Sequence, residues 1–135
     1  MKRFIGVVAI AVGTLGGGLS CGGGGPSGPV AGNLNVRLVS PNSGTDSAIV
    51  ITVTGPAALT GATAGTGLRL FQQPLGAMTT RFALVGQLNN AATILTIGVA
   101  NVNAVSQYTA TVDAVARPNY QLRTPPTGYG LAVIR

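Results

Sequence analysis

Cys21 is the only thiol in this chain of 135 residues, and it stands where two kinds of sequence meet. Before it lie a basic start, Lys2-Arg3, and an apolar run from Phe4 to Leu15. This arrangement is typical of a secretory signal peptide, since the run is shorter than the ~20 apolar residues that span a bilayer. One cysteine permits no disulfide within the chain, and an unpaired exposed thiol is a liability in an oxidising compartment.

The residues before Cys21 resemble a bacterial lipobox, the processing signal of bacterial lipoproteins. The lipobox has Leu three places before the cysteine, and small residues fill the two places between them. Here these three places hold Gly18, Leu19 and Ser20. The resemblance implies that the thiol is acylated, with palmitate among the chains, and that signal peptidase II cuts between Ser20 and Cys21. Gly22 after the cysteine implies sorting to the outer membrane. The alternative is ordinary cleavage nearby, which leaves a free or intermolecularly paired thiol.

The sequence divides into three predicted regions. Residues 1–20 form the lipoprotein signal peptide, residues 21–32 the acylated cysteine with a flexible Gly-rich tether, and residues 33–135 one β-domain. The tether reads GGGGPSGPVAG after the cysteine, which leaves almost nothing to bury. A Gly-rich segment of this length spans on the order of 18 Å. We therefore expect a domain held close to the membrane of the cell envelope, periplasmic or surface-exposed.

Catalytic side chains are scarce. The chain has no His, no Glu and no Trp, its acids are Asp46 and Asp113, and its lysine is Lys2 in the leader. A glycosidase would need both acids facing one cleft. Asp46 lies in a turn, where Asp commonly caps its own backbone, and Asp113 falls on the predicted solvent-exposed face of a strand. We assign no catalytic residue and no cofactor, and a hydrolase remains the weakest alternative.

Metal ligands are equally few. Zinc favours Cys and His, which the mature chain cannot supply in number. Calcium prefers clustered oxygen ligands, and Asp46 with Asn42 and loop carbonyls is the set that comes nearest to this requirement. No metal site is assigned.

Aromatic side chains are the remaining candidates for ligand contact. Tyr108 falls on the apolar face of a strand and is expected in the core. Tyr120 and Tyr129 flank the last turn, and with Arg123 they are the candidate ligand contacts. The alternative is that both rings cover the end of the domain with their hydroxyls hydrogen bonded to the backbone.

The charge is basic but dispersed. Without the leader, six arginines stand against two aspartates, a side-chain net charge of +4. The arginines occur singly with few aromatics between them, so we expect no nucleic-acid partner. Solubility is the simplest interpretation, and weak attraction to anionic lipid or polysaccharide is the alternative.

Seven short apolar runs separated by turn formers predict an all-β domain, an immunoglobulin-like, Greek-key sandwich of about seven to eight strands. Within these runs alternation places Ile49, Ile51 and Val53 inward, and likewise Phe82 and Leu84. Ala100 to Ser106 offers a single helical turn. The runs are Leu34–Leu38, Ala48–Thr54, Leu68–Gln72, Arg81–Leu88, Thr93–Val99, Gln107–Val115 and Gly130–Ile134.

The strand pattern resembles cohesin-like and related Greek-key modules of exported bacterial proteins. It rests on three stretches, 51–56, 82–86 and 94–99, with 108–115 behind them. The resemblance implies the sandwich fold alone, because Gly55 stands where such modules often have aspartate and no binding residue carries over. The sequence thus predicts a non-catalytic interaction or structural module of the envelope. Its partners would be the bilayer, through Cys21, and an unknown envelope protein or glycan, with glycan binding as the alternative function.

Overall fold

A computed structural model describes residues 28–124 and 126–135, so the predicted leader and Cys21 lie outside the described part. Over the described residues the chain forms eight strands and one short helix. The strands are β1 (Gly32–Val39), β2 (Asp46–Thr54), β3 (Gly61–Ala64), β4 (Arg69–Gly76), β5 (Thr79–Leu88), β6 (Thr93–Val99), β7 (Thr109–Ala116) and β8 (Gly130–Ile134). A 3-10 helix, Val102–Gln107, joins β6 to β7, close to the helical turn that the sequence predicts.

The strands form two antiparallel four-stranded sheets, with orders β3-β6-β1-β8 and β4-β5-β2-β7. The predicted all-β sandwich of about eight strands is therefore confirmed. Among the described connections, β4–β5 is the one hairpin within a sheet, and every other consecutive pair of strands is divided between the two sheets.

The core lies between the sheets and is built by the alternation that the sequence predicts. The inward residues of β2 are buried, as are Phe82 and Leu84 of β5. Tyr108 is also buried, as expected. Burial of these aliphatic and aromatic groups supplies the stability that no disulfide provides, at roughly 25 cal/mol per Å² of apolar surface.

β7 departs from simple alternation. Strict alternation would put Val112 and Ala114 on one face, but the pairing with β2 shifts between these two residues and leaves Asp113 without a partner. This is a β-bulge, in which one extra residue reverses the faces of those that follow. Val115, not Ala114, is the fully buried residue beyond it.

The sandwich has two distinct ends. At the entry end, where the chain enters β1, the 3-10 helix lies beside residues 30–32, and the β4–β5 turn lies beside the end of β2. Val30 is tied to this end, because its carbonyl accepts from Val102 N at 2.8 Å and its amide donates to Asn101 Oδ1 at 3.2 Å. The fold therefore includes the last residues of the predicted tether. The far end holds residues 40–45, 65–68, 89–92 and the described part of 117–129.

Candidate functional site

Asp46 carries a buried carboxylate at the start of a strand, and does not lie in the turn that the sequence predicts. It is the first residue of β2, at the far end, and is 2% exposed. Ala48, two residues along β2, belongs to the outer face, so unbroken alternation would put Asp46 on that face too. A register shift between β2 and β5 instead pairs Asp46 with the buried Leu88. Alternation read from the sequence cannot reveal such a shift, because it assumes an unbroken ladder.

Both oxygens of this carboxylate accept hydrogen bonds from the last connection of the chain. Arg123 Nε lies 2.6 Å from Oδ1 of Asp46, and the hydroxyl of Tyr129 donates to Oδ2. Asn42 donates from Nδ2 to the Tyr129 hydroxyl oxygen at 2.9 Å. A buried carboxylate is tolerated only when it is paired and hydrogen bonded, and these contacts meet that condition. We call Asn42, Asp46, Arg123 and Tyr129 the aspartate cluster.

The backbone holds the members of the aspartate cluster in place. Arg123 donates its amide to the carbonyl of Val115 at 2.8 Å, and Leu122 forms a bridge with Ala116, so this segment extends the edge of β7. Tyr129 directly precedes β8, which belongs to the other sheet. The cluster therefore fastens the two sheets together at the far end.

The environment of the cluster keeps its donors protonated. Burial raises the pKa of Tyr129 above its ordinary value of 10.0, and the hydrogen bond to Asp46 raises it further, opposed by the one from Asn42. The hydrogen bond to Asp46 likewise raises the pKa of Arg123. Both side chains remain hydrogen-bond donors throughout the neutral pH range.

Two of the candidate ligand contacts meet at one carboxylate, and the Tyr129 hydroxyl bonds to the side chains of Asp46 and Asn42 where the alternative has backbone partners. Arg123 and Tyr129 are brought together, and both engage Asp46, so their polar atoms hold the fold. The calcium set does not fit, since both Asp46 oxygens already accept from protein donors and Asn42 turns its amide N–H toward Tyr129. Among the described residues no three His, Cys, Asp or Glu side chains gather at one point.

The second carboxylate is far from the first. Asp113 lies on the outer face of its sheet, accepts from the hydroxyl of Thr52 and sits 3.6 Å from Arg81 Nε. Thr52 is six residues along β2 from Asp46, which corresponds to about 20 Å. The two carboxyl groups of a glycosidase stand about 5–9.5 Å apart. Asp46 and Asp113 therefore cannot act as such a pair.

Tyr120 is the candidate ligand contact that remains open to solvent. It is 89% exposed, and its backbone takes a φ of 67° in a turn closed by the bond from its amide to the Arg117 carbonyl at 2.9 Å. Beside it lies a shallow, mainly apolar groove of about 370 Å³. The groove is lined by Ser47, Ala48, Val85, Gly86, Ala116, Pro118 and Tyr120.

The apolar walls of this groove come from three neighbouring strands. Ala48 of β2 pairs with Val85 of β5 on one side and with Ala116 of β7 on the other. Alternation predicts that Val85 points outward, opposite Leu84, but the sequence does not indicate that these three side chains align. The groove therefore cannot be predicted from alternation alone.

The same outer face continues toward β4. Phe71 is exposed there and pairs with Ala83, and the Arg69 guanidinium carbon lies 5.9 Å from the centre of its ring. That separation allows a cation–π contact. The outer face of β4-β5-β2-β7 thus combines small apolar side chains with an aromatic ring and a cation.

A second cleft of about 280 Å³ opens between β3 and β4, near the entry end. Thr60, Gln72 and Thr80 supply its polar side chains, and Phe82 forms part of its wall. No charged side chain lines it among the described residues, so it lacks a candidate acid or base.

Comparison with known proteins identifies no relative: no protein-family model, curated protein or solved structure matches this chain. Across 28–124 and 126–135, no helix has the length and hydrophobicity needed to cross a bilayer. The site is therefore interpreted from its own geometry.

Proposed function

We propose that this protein is an exported lipoprotein, anchored to the bacterial cell envelope through acylated Cys21, whose β-sandwich is a non-catalytic interaction or structural module. The outer membrane is the proposed location. The observation that supports an interaction role is Tyr120, an exposed ring beside an apolar groove. In contrast, the polar groups of Asp46, Arg123 and Tyr129 are engaged within the fold.

The chemistry of the Tyr120 surface suits binding better than catalysis. Tyrosine offers a large, rigid contact area at a small cost in conformational entropy, and it is enriched at the energetic centres of interfaces. The small residues Ala48 and Ala116 leave room beside the ring for an inserted partner side chain. Neither aspartate projects into this groove, so no general acid or base faces a ligand bound there.

The anchor is tested by metabolic labelling with a palmitate analogue. We expect label on the wild-type chain and none on Cys21→Ala, because the thiol is the proposed acceptor. A Ser20→Ala variant is the matched control, since a small residue is kept before the cleavage point and labelling should persist. Equal labelling of wild type and Cys21→Ala would rule out the lipid anchor.

The interaction role is tested by capture from envelope extracts with the anchored chain. We expect one or more envelope components to bind wild type and Tyr120→Phe, and to be lost with Tyr120→Ala, because the ring supplies the contact. Retention by Tyr120→Ala would place binding elsewhere on the domain.

The alternative function is recognition of an envelope glycan. It is favoured by the polar groups around the exposed ring: Asn119 and Gln121 are hydrogen bonded to each other beside Tyr120, and Arg117 lies three residues before it. Sugars commonly stack on an aromatic face while amides bind their hydroxyls. A glycan array would show binding that falls with Tyr120→Ala and persists with Tyr129→Phe, and an array without signal would count against this alternative.

A further inference from the structure

The turn between β4 and β5 presents large apolar side chains to solvent. Leu75 is 47% exposed and Met78 is 53% exposed, and they flank Gly76 and Ala77, which are exposed as well. A hairpin tip is ordinarily built from Gly, Asn, Asp and Ser, which solvate well. Two long apolar side chains at this tip point to an apolar environment outside the domain.

This tip lies at the end of the molecule where the chain enters the fold. Thr79, which follows the turn, pairs with Thr54 at the end of β2, and the amide of Gly55 donates to the carbonyl of Met78 at 3.1 Å. Val30, also half-exposed, lies at the same end beside the 3-10 helix. The tip and Val30 therefore belong to facing sheets, which pack about 10 Å apart, at the same end of the sandwich.

One arginine side chain at this end is not paired with a carboxylate side chain. Arg135 projects to the entry end and donates from Nη1 to Asn103 Oδ1 of the 3-10 helix at 3.2 Å. Of the two side-chain carboxylates, Asp46 belongs to the far end, and Asp113 lies two residues from the end of β2, at the level of Thr52, where it is paired with Thr52 and Arg81. Because Arg81 neutralises Asp113, the Arg135 guanidinium is the side-chain charge left to meet an anionic surface here.

We propose that the β4–β5 turn is a second membrane contact, in which Leu75 and Met78 enter the headgroup region of an anionic phospholipid bilayer. Val30 lies at the rim of this contact, and Arg135 faces the lipid phosphates. The proposal rests on the lipid anchor of the proposed function, because Cys21 precedes Val30 by nine residues and brings this end to the bilayer. A flexible Gly-rich stretch of nine residues spans about 15–18 Å, which exceeds the spacing of about 10 Å between facing sheets.

Two side chains give only a weak contact on their own. Even a single myristoyl chain binds membranes marginally. The anchor changes this, because a short tether holds the tip near the surface at an effective concentration in the millimolar range. The contact would then orient the domain, with the entry end against the lipid and the Tyr120 groove, at the far end, directed away from it.

The test uses the full chain, isolated with its acylated Cys21 and reconstituted in vesicles of phosphatidylcholine and phosphatidylglycerol. An environment-sensitive fluorescent amino acid replaces Ala77 at the tip or, as the matched control, Thr66 in the exposed turn at the far end. Spin labels on the lipid acyl chains should quench the reporter at 77 several-fold more than the reporter at 66. Leu75→Ser with Met78→Ser should remove this difference, and Arg135→Gln or pure phosphatidylcholine should reduce it.

The outcomes separate the two proposals. Equal quenching of the two reporters in the anchored chain would overturn the membrane contact. Strong quenching at 77 that survives the double serine change would also overturn it, because the tether alone would then explain the quenching. If mass measurement finds no lipid on Cys21, the anchor fails. The same chain is then coupled through Cys21 to a maleimide lipid, and the comparison of 77 with 66 decides the contact independently.

Discussion

Asp46 occupies a position that its two donors, Arg123 and Tyr129, make acceptable. The Asp46 carboxylate is buried, and removing either donor would leave one of its oxygens without a partner. An unsatisfied buried acceptor costs more than the average hydrogen bond contributes. These residues therefore act as a unit that closes the far end, which explains why an arginine and a tyrosine that could bind a ligand face inward.

Replacing Tyr129 by Phe tests this unit. The ring still packs, but the hydroxyl that donates to Asp46 and accepts from Asn42 is lost. We expect the free energy of unfolding to fall by about 1–3 kcal/mol, measured by urea denaturation. Tyr120→Phe is the control, since its hydroxyl is exposed, and it should stay within about 0.5 kcal/mol of wild type. Similar values for both variants would contradict the role given to Tyr129.

The same residue predicts a dependence on alkaline pH. The pKa of Tyr129 is raised in the fold by burial and by Asp46, so the folded state holds this proton more tightly than the unfolded state. Its contribution is fully present below the ordinary value of 10.0 and is lost as pH rises through the folded value. The difference in unfolding free energy between wild type and Tyr129→Phe should stay constant up to about pH 9 and shrink as the pH rises above 10.0. A constant difference would contradict the raised pKa.

At the level of the strands, two register shifts determine which side chains reach the surface. The bulge in β7 turns Val115 inward and leaves Asp113 outside, and the shift between β5 and β2 pairs Asp46 with Leu88. Bulges of this kind redirect side chains without changing the order of strands. The groove beside Tyr120 lies against the second of these shifts, because Val85 and Gly86 precede Leu88.

Gly86 is the residue that this second shift requires. Its φ is 146°, and a Cβ there would lie 2.7 Å from the carbonyl oxygen of Gly67 and 2.8 Å from Leu68 Cδ2. Gly86→Ala should lower the free energy of unfolding by about 1–3 kcal/mol, because the backbone oxygen cannot move aside as a side chain could. Thermal unfolding measures this effect. Gly61→Ala is the matched control, as nothing lies within 4 Å of its added Cβ, and a comparable loss there would point to a general cost of alanine.

The whole molecule is held by one apolar core between the two sheets. Phe82 is among the largest of its buried side chains and is 1% exposed, whereas Phe71, one strand away, is 54% exposed on the outer face. The two phenylalanines therefore allow the same substitution to be compared inside and outside the core.

Phe82→Ala should lower the free energy of unfolding by about 3–5 kcal/mol, a large part of the 5–15 kcal/mol typical of a domain. Phe71→Ala should change it by less than about 1 kcal/mol, since its ring loses little buried area. Urea titration of both variants gives the comparison. If Phe71→Ala proved as damaging as Phe82→Ala, the outer face would be covered by another part of the molecule.

Much of the fold can be predicted because strand alternation is a local property. The inward residues of β2, and Phe82 with Leu84 in β5, follow from the period of two, and the turn formers separate the strands. The aspartate cluster could not be predicted in this way. Asp46 and Arg123 are 77 residues apart, and no local pattern links them.

The sequence by itself determined the class of the domain, its reliance on an aliphatic core and the scarcity of catalytic groups, because composition and alternation act residue by residue. It also carries the lipobox resemblance at Cys21, on which the proposed anchor rests. The tertiary structure alone decided which polar and aromatic residues are available. It buries Asp46 against Arg123 and Tyr129, exposes Tyr120 beside a groove from three strands, and places Leu75 and Met78 at the end where the chain enters. These outcomes depend on strand register and on contacts between residues that are distant in the chain. Neither is a local property of the sequence, so both become visible only in the folded chain.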